Sequence, residues 1–241
     1  MTEAPLAEAP NSRPPAIYGL LLLLSATTGL VDAITVLGLG RVFTANMTGN
    51  VVFLGFAAAG APGFQVAPYV AAIASFLVGA AGAGRFRFLY PAEAPGHWLL
   101  HGSIVEASLL WAAALVALEF DVSSQQPQGA MFGMIVLTGF AMGFRNGTIR
   151  QLKIPDLTTT VLTMTLTGLA ADSKLAGGSN GNWRRRVSSV AAIFLGAIAG
   201  AVLVLSFGLA VPLVLAGGLA LAGTSACSLV SSPHQQASAG A

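Results

Sequence analysis

The residues best suited to chemistry are polar side chains inside apolar stretches of the chain. Asp32 lies in the first of these stretches, and Asn146 lies in a later one behind a similar glycine-containing motif. A carboxylate inside a membrane helix costs about 2.5–3.5 kcal/mol on insertion scales, so it faces a partner or water. A role in solute binding and a plain position at a hydrated helix end are therefore the two readings of Asp32.

A second set of polar residues opens two short apolar segments, 47–60 and 157–171. Asn46, Thr48 and Asn50 open the first segment, and Asp156, Thr158, Thr159 and Thr160 open the second. Such residues cap helices, because their side-chain oxygens accept the unpaired N–H groups of the first turn. Capping alone would explain them. The functional reading is that these helix N-termini attract an anionic or polar solute inside the membrane. The solute site predicted at the meeting point of the two segments is lined by Asp32, Asn46, Thr48, Gly49, Asn50, Asn146, Thr159 and Thr163.

Glu106 and His101 lie in the third long apolar stretch. Five residues apart on a helix, they point about 140° away from each other, so they form no joint site. Glu106 is open to two readings: a proton or cation site, and an ion pair with a basic group such as Arg145. Arg145 itself is expected to extend its charge to the membrane surface. The sequence leaves the roles of Glu106 and His101 open.

Composition defines the elements that must position these residues. The 241 residues are 55% hydrophobic and only 8% charged, with a mean hydropathy of +0.77. Soluble domains carry about 25% charged residues, so a soluble fold could not cover its surface. The net charge of +2 then reports cytoplasmic loops and predicts no nucleic-acid partner. No catalytic or metal-binding motif is present, so we predict neither an enzyme nor a cofactor.

Hydropathy predicts an all-α polytopic membrane protein with about six transmembrane helices. The long stretches are 16–37, 66–84, 98–118, 129–149, 187–206 and 209–230. The two short segments read as re-entrant half-helices. With six crossings and both termini in the cytoplasm, the basic residues lie inside except Arg41. Extended to 42–64 and 154–172, the short segments would be long enough to span, and eight crossings stay open.

Two blocks of the chain predict an internal repeat, to which chance similarity between two Gly/Thr-rich apolar stretches is the alternative. Gly29-Leu30-Val31-Asp32-Ala33 is similar to Gly143-Phe144-Arg145-Asn146-Gly147, and each block precedes a Thr-rich entry into a short segment. Three crossings per half give the halves opposite orientations, a 3+3 inverted repeat typical of transporters. We predict disordered tails at 1–15 and 232–241 around one transmembrane domain, 16–231, with halves of about 16–118 and 129–230.

The first block, followed by Phe43-Thr44-Ala45-Asn46-Met47-Thr48-Gly49-Asn50, resembles the YoaK-like family of bacterial membrane proteins. The second-half block and its threonine run are similar to the same family's pattern, although Thr163-Met164 stands where the family leads us to expect Thr-Gly. The resemblance covers about residues 18–221. It implies a multi-pass protein of a bacterial plasma membrane and leaves the activity open.

Two functions from different classes are compatible with the sequence. The first is a transporter or permease of a small solute, and the alternative is a non-transporting scaffold for lipids or partners. The lipid bilayer is the expected surrounding in both cases. Gly196 and Gly200 form a Gly-x-x-x-Gly pattern that fits close packing within the monomer as well as a homo-oligomer. Substrate, coupling ion and direction cannot be read from the sequence.

Overall fold

The computed structural model describes residues 15–90, 95–151 and 162–238. These ranges form eight α-helices and one 3-10 helix, Lys174–Ala176. The α-helices are α1 Pro15–Gly38, α2 Met47–Ala58, α3 Val66–Leu89, α4 Pro95–Ala117, α5 Gln128–Arg150, α6 Leu162–Ala171, α7 Trp183–Phe207 and α8 Ala210–Ser238. Within these ranges the expectation of an all-helical chain with two short helices is confirmed.

Five helices among the described residues are long and apolar enough to cross a membrane: α1, α3, α4, α7 and α8. The helix α5 has 23 residues and spanning length, but it contains five glycines, Arg145 and Asn146, which lower its hydropathy. It packs against both α3 and α4. Because its neighbours shield it, α5 can be less apolar than a helix that faces lipid.

A tight turn joins the last two helices. The helix α7 ends at Phe207, Gly208 adopts a left-handed φ of 73°, and α8 begins two residues later. A left-handed φ favours glycine because it has no Cβ. The last helix extends to Ser238, so part of the predicted C-terminal tail is helical.

Contacts between helices give their relative directions. Gly196 of α7 faces Ala26 of α1, and Gly200 faces Leu30, so these two helices run parallel. Contacts of Gly139 and Gly143 with α3 show that α3 and α5 are parallel in the same way. The helices α4 and α8 are antiparallel, and the indole N–H of Trp111 donates to the carbonyl of Val214 at 3.1 Å.

The bundle has two ends, which we name by residues located there. At the Asp32 end, the side chain of Gln125, which precedes α5, donates to the carbonyl of Gly38 at 3.0 Å. At the Arg150 end, the guanidinium of Arg185 lies 4.0 Å from the ring centroid of Tyr18, which joins the beginnings of α7 and α1. The helix α1 therefore ends, and α3 begins, at the Asp32 end, and the short helix α2 lies between them. The helix α6 lies in the same way at the Arg150 end.

Glycines let the parallel helices touch backbone to backbone. A Cβ added to Gly29, Gly79, Gly143 or Gly196 would collide with the carbonyl group of Ile193, Phe140, Phe76 or Ala26, respectively. A Cβ on Gly200 would lie 2.7 Å from the carbonyl oxygen of Leu30. The reading of Gly196 and Gly200 as packing positions within the monomer is confirmed.

Replacing these glycines should separate the paired helices. We expect Gly196→Leu and Gly143→Leu each to lower the stability of the detergent-solubilised protein by about 1–3 kcal/mol or more, the cost of overpacking a filled interface. Gly84→Leu is the matched control, because a Cβ on Gly84 meets nothing within 4 Å. Thermal unfolding measures the effect. Equal melting temperatures for all three variants would show that these helix faces do not pack.

Candidate functional site

A buried ion pair lies inside the bundle. The guanidinium of Arg145 on α5 contacts the carboxylate of Glu106 on α4 at 2.8 Å, with side chains 3% and 2% exposed. The prediction that Arg145 extends to the membrane surface is wrong, because a carboxylate within reach compensates its charge inside the bundle. The reading of Glu106 as the ion-pair partner of Arg145 is confirmed.

Two threonines of α1 complete this cluster. Arg145 donates to the hydroxyl of Thr27 at 2.7 Å and to the hydroxyl of Thr28 at 2.5 Å. Its Nε is buried and has no hydrogen-bond partner among the described residues. We name Thr27, Thr28, Glu106 and Arg145 the central cluster. It joins three helices, α1, α4 and α5, through one guanidinium.

The central cluster lies deep in the bundle. Glu106 is the middle residue of α4, and Thr27 lies near the middle of α1. Removing two charges from water costs several kcal/mol per ion, and apolar residues of similar volume are often neutral or better. An ionisable group at this depth is by default a functional candidate. Packing alone therefore does not require this ion pair.

Asp32 is buried near the end of α1 and holds the loop that leads to α2. Its carboxylate accepts the backbone N–H of Thr44 at 2.9 Å and that of Ala45 at 2.8 Å, and it also accepts the side-chain amide of Asn46. The hydroxyl of Thr44 is buried without a partner among the described residues. Asp32 is thus neither a free ligand for solute nor a merely hydrated helix end.

Asn50 fixes the same loop from the side of α2. Its side-chain oxygen accepts the N–H of Phe43 at 2.9 Å, and its amide donates to the carbonyl of Phe43 at 2.5 Å. Asn46 occupies the N-cap position of α2 but makes no capping bond with its side chain. The capping prediction is wrong for Asn46, because its amide binds the carboxylate of Asp32 instead.

The other predicted site residues lie in several places. Thr48 is exposed in the first turn of α2, and Gly49 is close to the ring of Phe43, so a Cβ there would clash. Asn146 is partly buried toward the Arg150 end. Thr163 is exposed on α6, which packs against α7, and Thr159 lies outside the described residues. The structure joins Asp32, Asn46 and Asn50 and places Asn146 and Thr163 elsewhere.

Sequence reasoning missed Thr27 and Thr28 as functional candidates. The available signal was their position: Thr28 precedes Asp32 by four residues, so both share one face of α1. His101 is exposed and lies away from the central cluster, with its ring centroid 5.9 Å from that of Phe86. Within the described ranges, no group of three or more His, Cys, Asp or Glu residues could hold a metal ion.

Helices of this length and apolarity, with buried polar residues between them, define a multi-pass α-helical membrane protein. The sequence profile of the family described as "Protein of unknown function (DUF1275)" matches residues 20–225, so the chain belongs to this family. It is 33% identical over 153 residues to the "UPF0700 transmembrane protein YoaK" of Bacillus subtilis (strain 168). That alignment covers 64% of this chain and 65% of the relative. No solved structure matches.

The central cluster should respond asymmetrically to substitution. Glu106→Gln leaves the Arg145 guanidinium buried without a counter-charge. This should lower the free energy of unfolding by about 3–5 kcal/mol. The double variant Glu106→Leu, Arg145→Met removes both charges. Its free energy of unfolding should be at most about 1 kcal/mol below that of the wild type, or should exceed it. Denaturation of the purified variants measures both. A single variant as stable as the wild type would contradict a compensated ion pair.

The loop held by Asp32 gives a graded prediction. Asp32→Ala leaves the N–H groups of Thr44 and Ala45 without their acceptor. Each buried donor without a partner should lower the free energy of unfolding by about 1–3 kcal/mol. Asp32→Asn keeps one acceptor oxygen and should be less destabilising. Glu119→Ala, in the exposed α4–α5 loop, is the control for removal of a carboxylate. An Asp32→Ala variant that melts with the wild type would refute this role.

Proposed function

We propose that the protein is a transporter of a small solute in a bacterial plasma membrane, built from two inverted halves. The first half comprises α1 to α4, and the second comprises α5 to α8. The solute passes near the central cluster, where residues of both halves meet. We assign no catalytic role to any residue.

The observation that carries this proposal is one packing arrangement that occurs twice, each time between a helix of the first half and a helix of the second. Gly29 and Gly196 pack reciprocally between α1 and α7, and Gly143 and Gly79 do the same between α5 and α3. The separation along the chain from Gly29 to Gly143 equals that from Asp32 to Asn146. Each pair also sets a glycine against an alanine one turn further along: a Cβ added to Gly200 would lie 3.0 Å from that of Ala33, and one added to Gly147 would lie 2.8 Å from that of Ala83.

The directions of the helices support the inversion. The helix α5 runs antiparallel to α4, α4 to α8 and α8 to α1, so α1 and α5 point in opposite directions. The short helices α2 and α6 lie at opposite ends of the bundle, and each connects two helix ends on the same side. We infer that they re-enter without crossing. Inverted repeats with interrupted helices are a recurrent architecture of transporters.

Charge supports the orientation. Basic residues cluster at the Arg150 end, and Glu119, Asp121 and Arg41 lie at the Asp32 end. The basic residues of the Arg150 end are Arg85, Arg87, Arg150, Lys174, Arg184, Arg185 and Arg186. Because cytoplasmic loops carry the excess of Lys and Arg, we place the Arg150 end and both termini in the cytoplasm.

The central cluster is suited to change during transport. Glu106 belongs to the first half and Arg145 to the second, so movement of one half against the other acts directly on their ion pair. Rearranged salt bridges are a common part of such rigid-body movements. The unpartnered Nε of Arg145 offers a polar contact to a solute that enters.

Uptake into liposomes tests the proposal without a known substrate. Proteoliposomes would be incubated with a small-metabolite extract of the host bacterium, and the accumulated solutes would be identified by mass spectrometry. The wild type should accumulate at least one solute that empty liposomes exclude. The double variant Glu106→Leu, Arg145→Met, which we expect to fold, should not.

Two results would contradict this proposal. One is a wild type that accumulates nothing beyond empty liposomes, which would favour the scaffold function instead. The other is a double variant that transports as the wild type does, which would remove the central cluster from the pathway.

A further inference from the structure

A cavity of about 490 Å³ opens at the Asp32 end, beside the loop that Asp32 and Asn50 hold. Its walls are apolar on the side of α1 and aromatic on the side of α2, with Arg41 and Gln125 as the polar residues. Sites for small molecules typically have volumes of about 300–1,000 Å³ and combine apolar walls with a few polar groups. This cavity has that character.

Gln125 lines this cavity, and its side chain carries a hydrogen-bond acceptor that is not in use. Its side-chain nitrogen donates to the carbonyls of Gly38 at 3.0 Å and Val122 at 2.7 Å, which fixes the orientation of the amide. Its side-chain oxygen is therefore directed away from both, and it is buried without a partner among the described residues. A buried acceptor without a donor is unfavourable, so a ligand that donates to it would be stabilised.

Arg41 provides a positive charge at the Asp32 end, where the proposed membrane orientation requires none. The described basic residues otherwise concentrate at the Arg150 end. Its guanidinium lies 5.8 Å from the ring centroid of Phe64 and has no ion-pair partner in the described part of the chain. Arginine binds carboxylates through two parallel hydrogen bonds, which makes it suited to an organic anion.

Backbone strain occurs at the same two residues. Arg41 has a φ of 66° and Gln125 has a φ of 55°, both in the left-handed region that residues other than glycine rarely adopt. Such strained positions concentrate at ligand-binding sites. The turn that contains Gln125 is held by Asp121, which accepts hydrogen bonds from Ser123 and Ser124. These hydrogen bonds, first that of the Ser123 hydroxyl, lower the pKa of Asp121 to about 2.

We propose that this cavity binds a small carboxylic acid that carries an apolar side chain and a hydrogen-bond donor, as an α-amino or α-hydroxy acid does. Arg41 pairs with the carboxylate, the oxygen of Gln125 accepts the hydrogen bond, and Phe43 and Phe53 contact the apolar group. This acid would be the solute class of the proposed transporter. Binding of the acid does not depend on the proposed function, whereas its passage across the membrane does.

Thermal melting of the full-length protein in detergent tests the site with four defined probes. L-Phenylalanine and phenyllactate carry all three features, 3-phenylpropionate lacks the donor, and phenylalaninamide lacks the carboxylate. We expect the first two to raise the melting temperature in a saturable manner, 3-phenylpropionate to act more weakly, and the amide to have no effect.

Arg41→Asn should weaken binding of L-phenylalanine by about tenfold or more, because it removes the charge-assisted pair. Asparagine tolerates the left-handed backbone, so this variant should fold. Arg85→Asn is the matched control, since Arg85 also lies over a phenylalanine ring, at 5.2 Å from the centroid of Phe88, but at the opposite end. It should bind as the wild type does.

Three results would overturn the site: no shift with any of the probes, an amide that stabilises as well as the acid, or wild-type binding by Arg41→Asn. Stabilisation by phosphatidylglycerol but by none of the acids would also overturn it, by assigning Arg41 to a lipid headgroup. Uptake of L-phenylalanine into liposomes separates this site from transport. Binding without uptake of the acid or of any solute of the extract contradicts transport alone, whereas uptake of other solutes without binding of these acids contradicts the site alone.

Discussion

The structure depends on backbone contact between two pairs of parallel helices. Gly29 and Gly196 allow α1 to lie against α7, and Gly79 and Gly143 allow α3 to lie against α5. Lipid provides no hydrophobic drive for helices to associate, so close packing of small residues takes over that role. These contacts set the distance and register of the helices that carry the buried polar groups. A larger side chain at any of the four positions would displace the helices from one another.

Buried polar side chains come after these glycines at short intervals along the chain. Asp32 comes three residues after Gly29, and Arg145 comes two residues after Gly143. The first reaches a loop at the end of its helix, and the second reaches across to Glu106 on a neighbouring helix. The same packing motif thus supports a fixed loop at the end of α1 and an ion pair between α5 and α4. In the transport mechanism that we propose, the loop is the static element and the ion pair is the element that changes.

The sequence predicted the elements of the fold better than the contacts of the polar residues. Hydropathy located the long helices and both short ones, because twenty apolar residues leave few alternatives in a membrane. The partner of Glu106 could be suggested but not decided, since a buried arginine and one that reaches the membrane surface look alike in a sequence. The role of Asn46 was missed because an N-cap position and a bond to Asp32 demand the same residue type. Gln125 gave no signal, since its position depends on how a loop closes onto the end of α1.

The central claim is that two inverted halves place α2 and α6 at opposite ends of the bundle without crossing the membrane. Single cysteines at Ser124 and Ser179, introduced into a Cys227→Ala background, test it most directly. Both positions are exposed in loops, the first between α4 and α5 and the second between α6 and α7. A membrane-impermeant thiol reagent applied to intact cells should label position 124 alone, and position 179 only after the membrane is opened. Labelling of both positions from the same side would mean that all eight helices cross, and it would contradict the inverted arrangement.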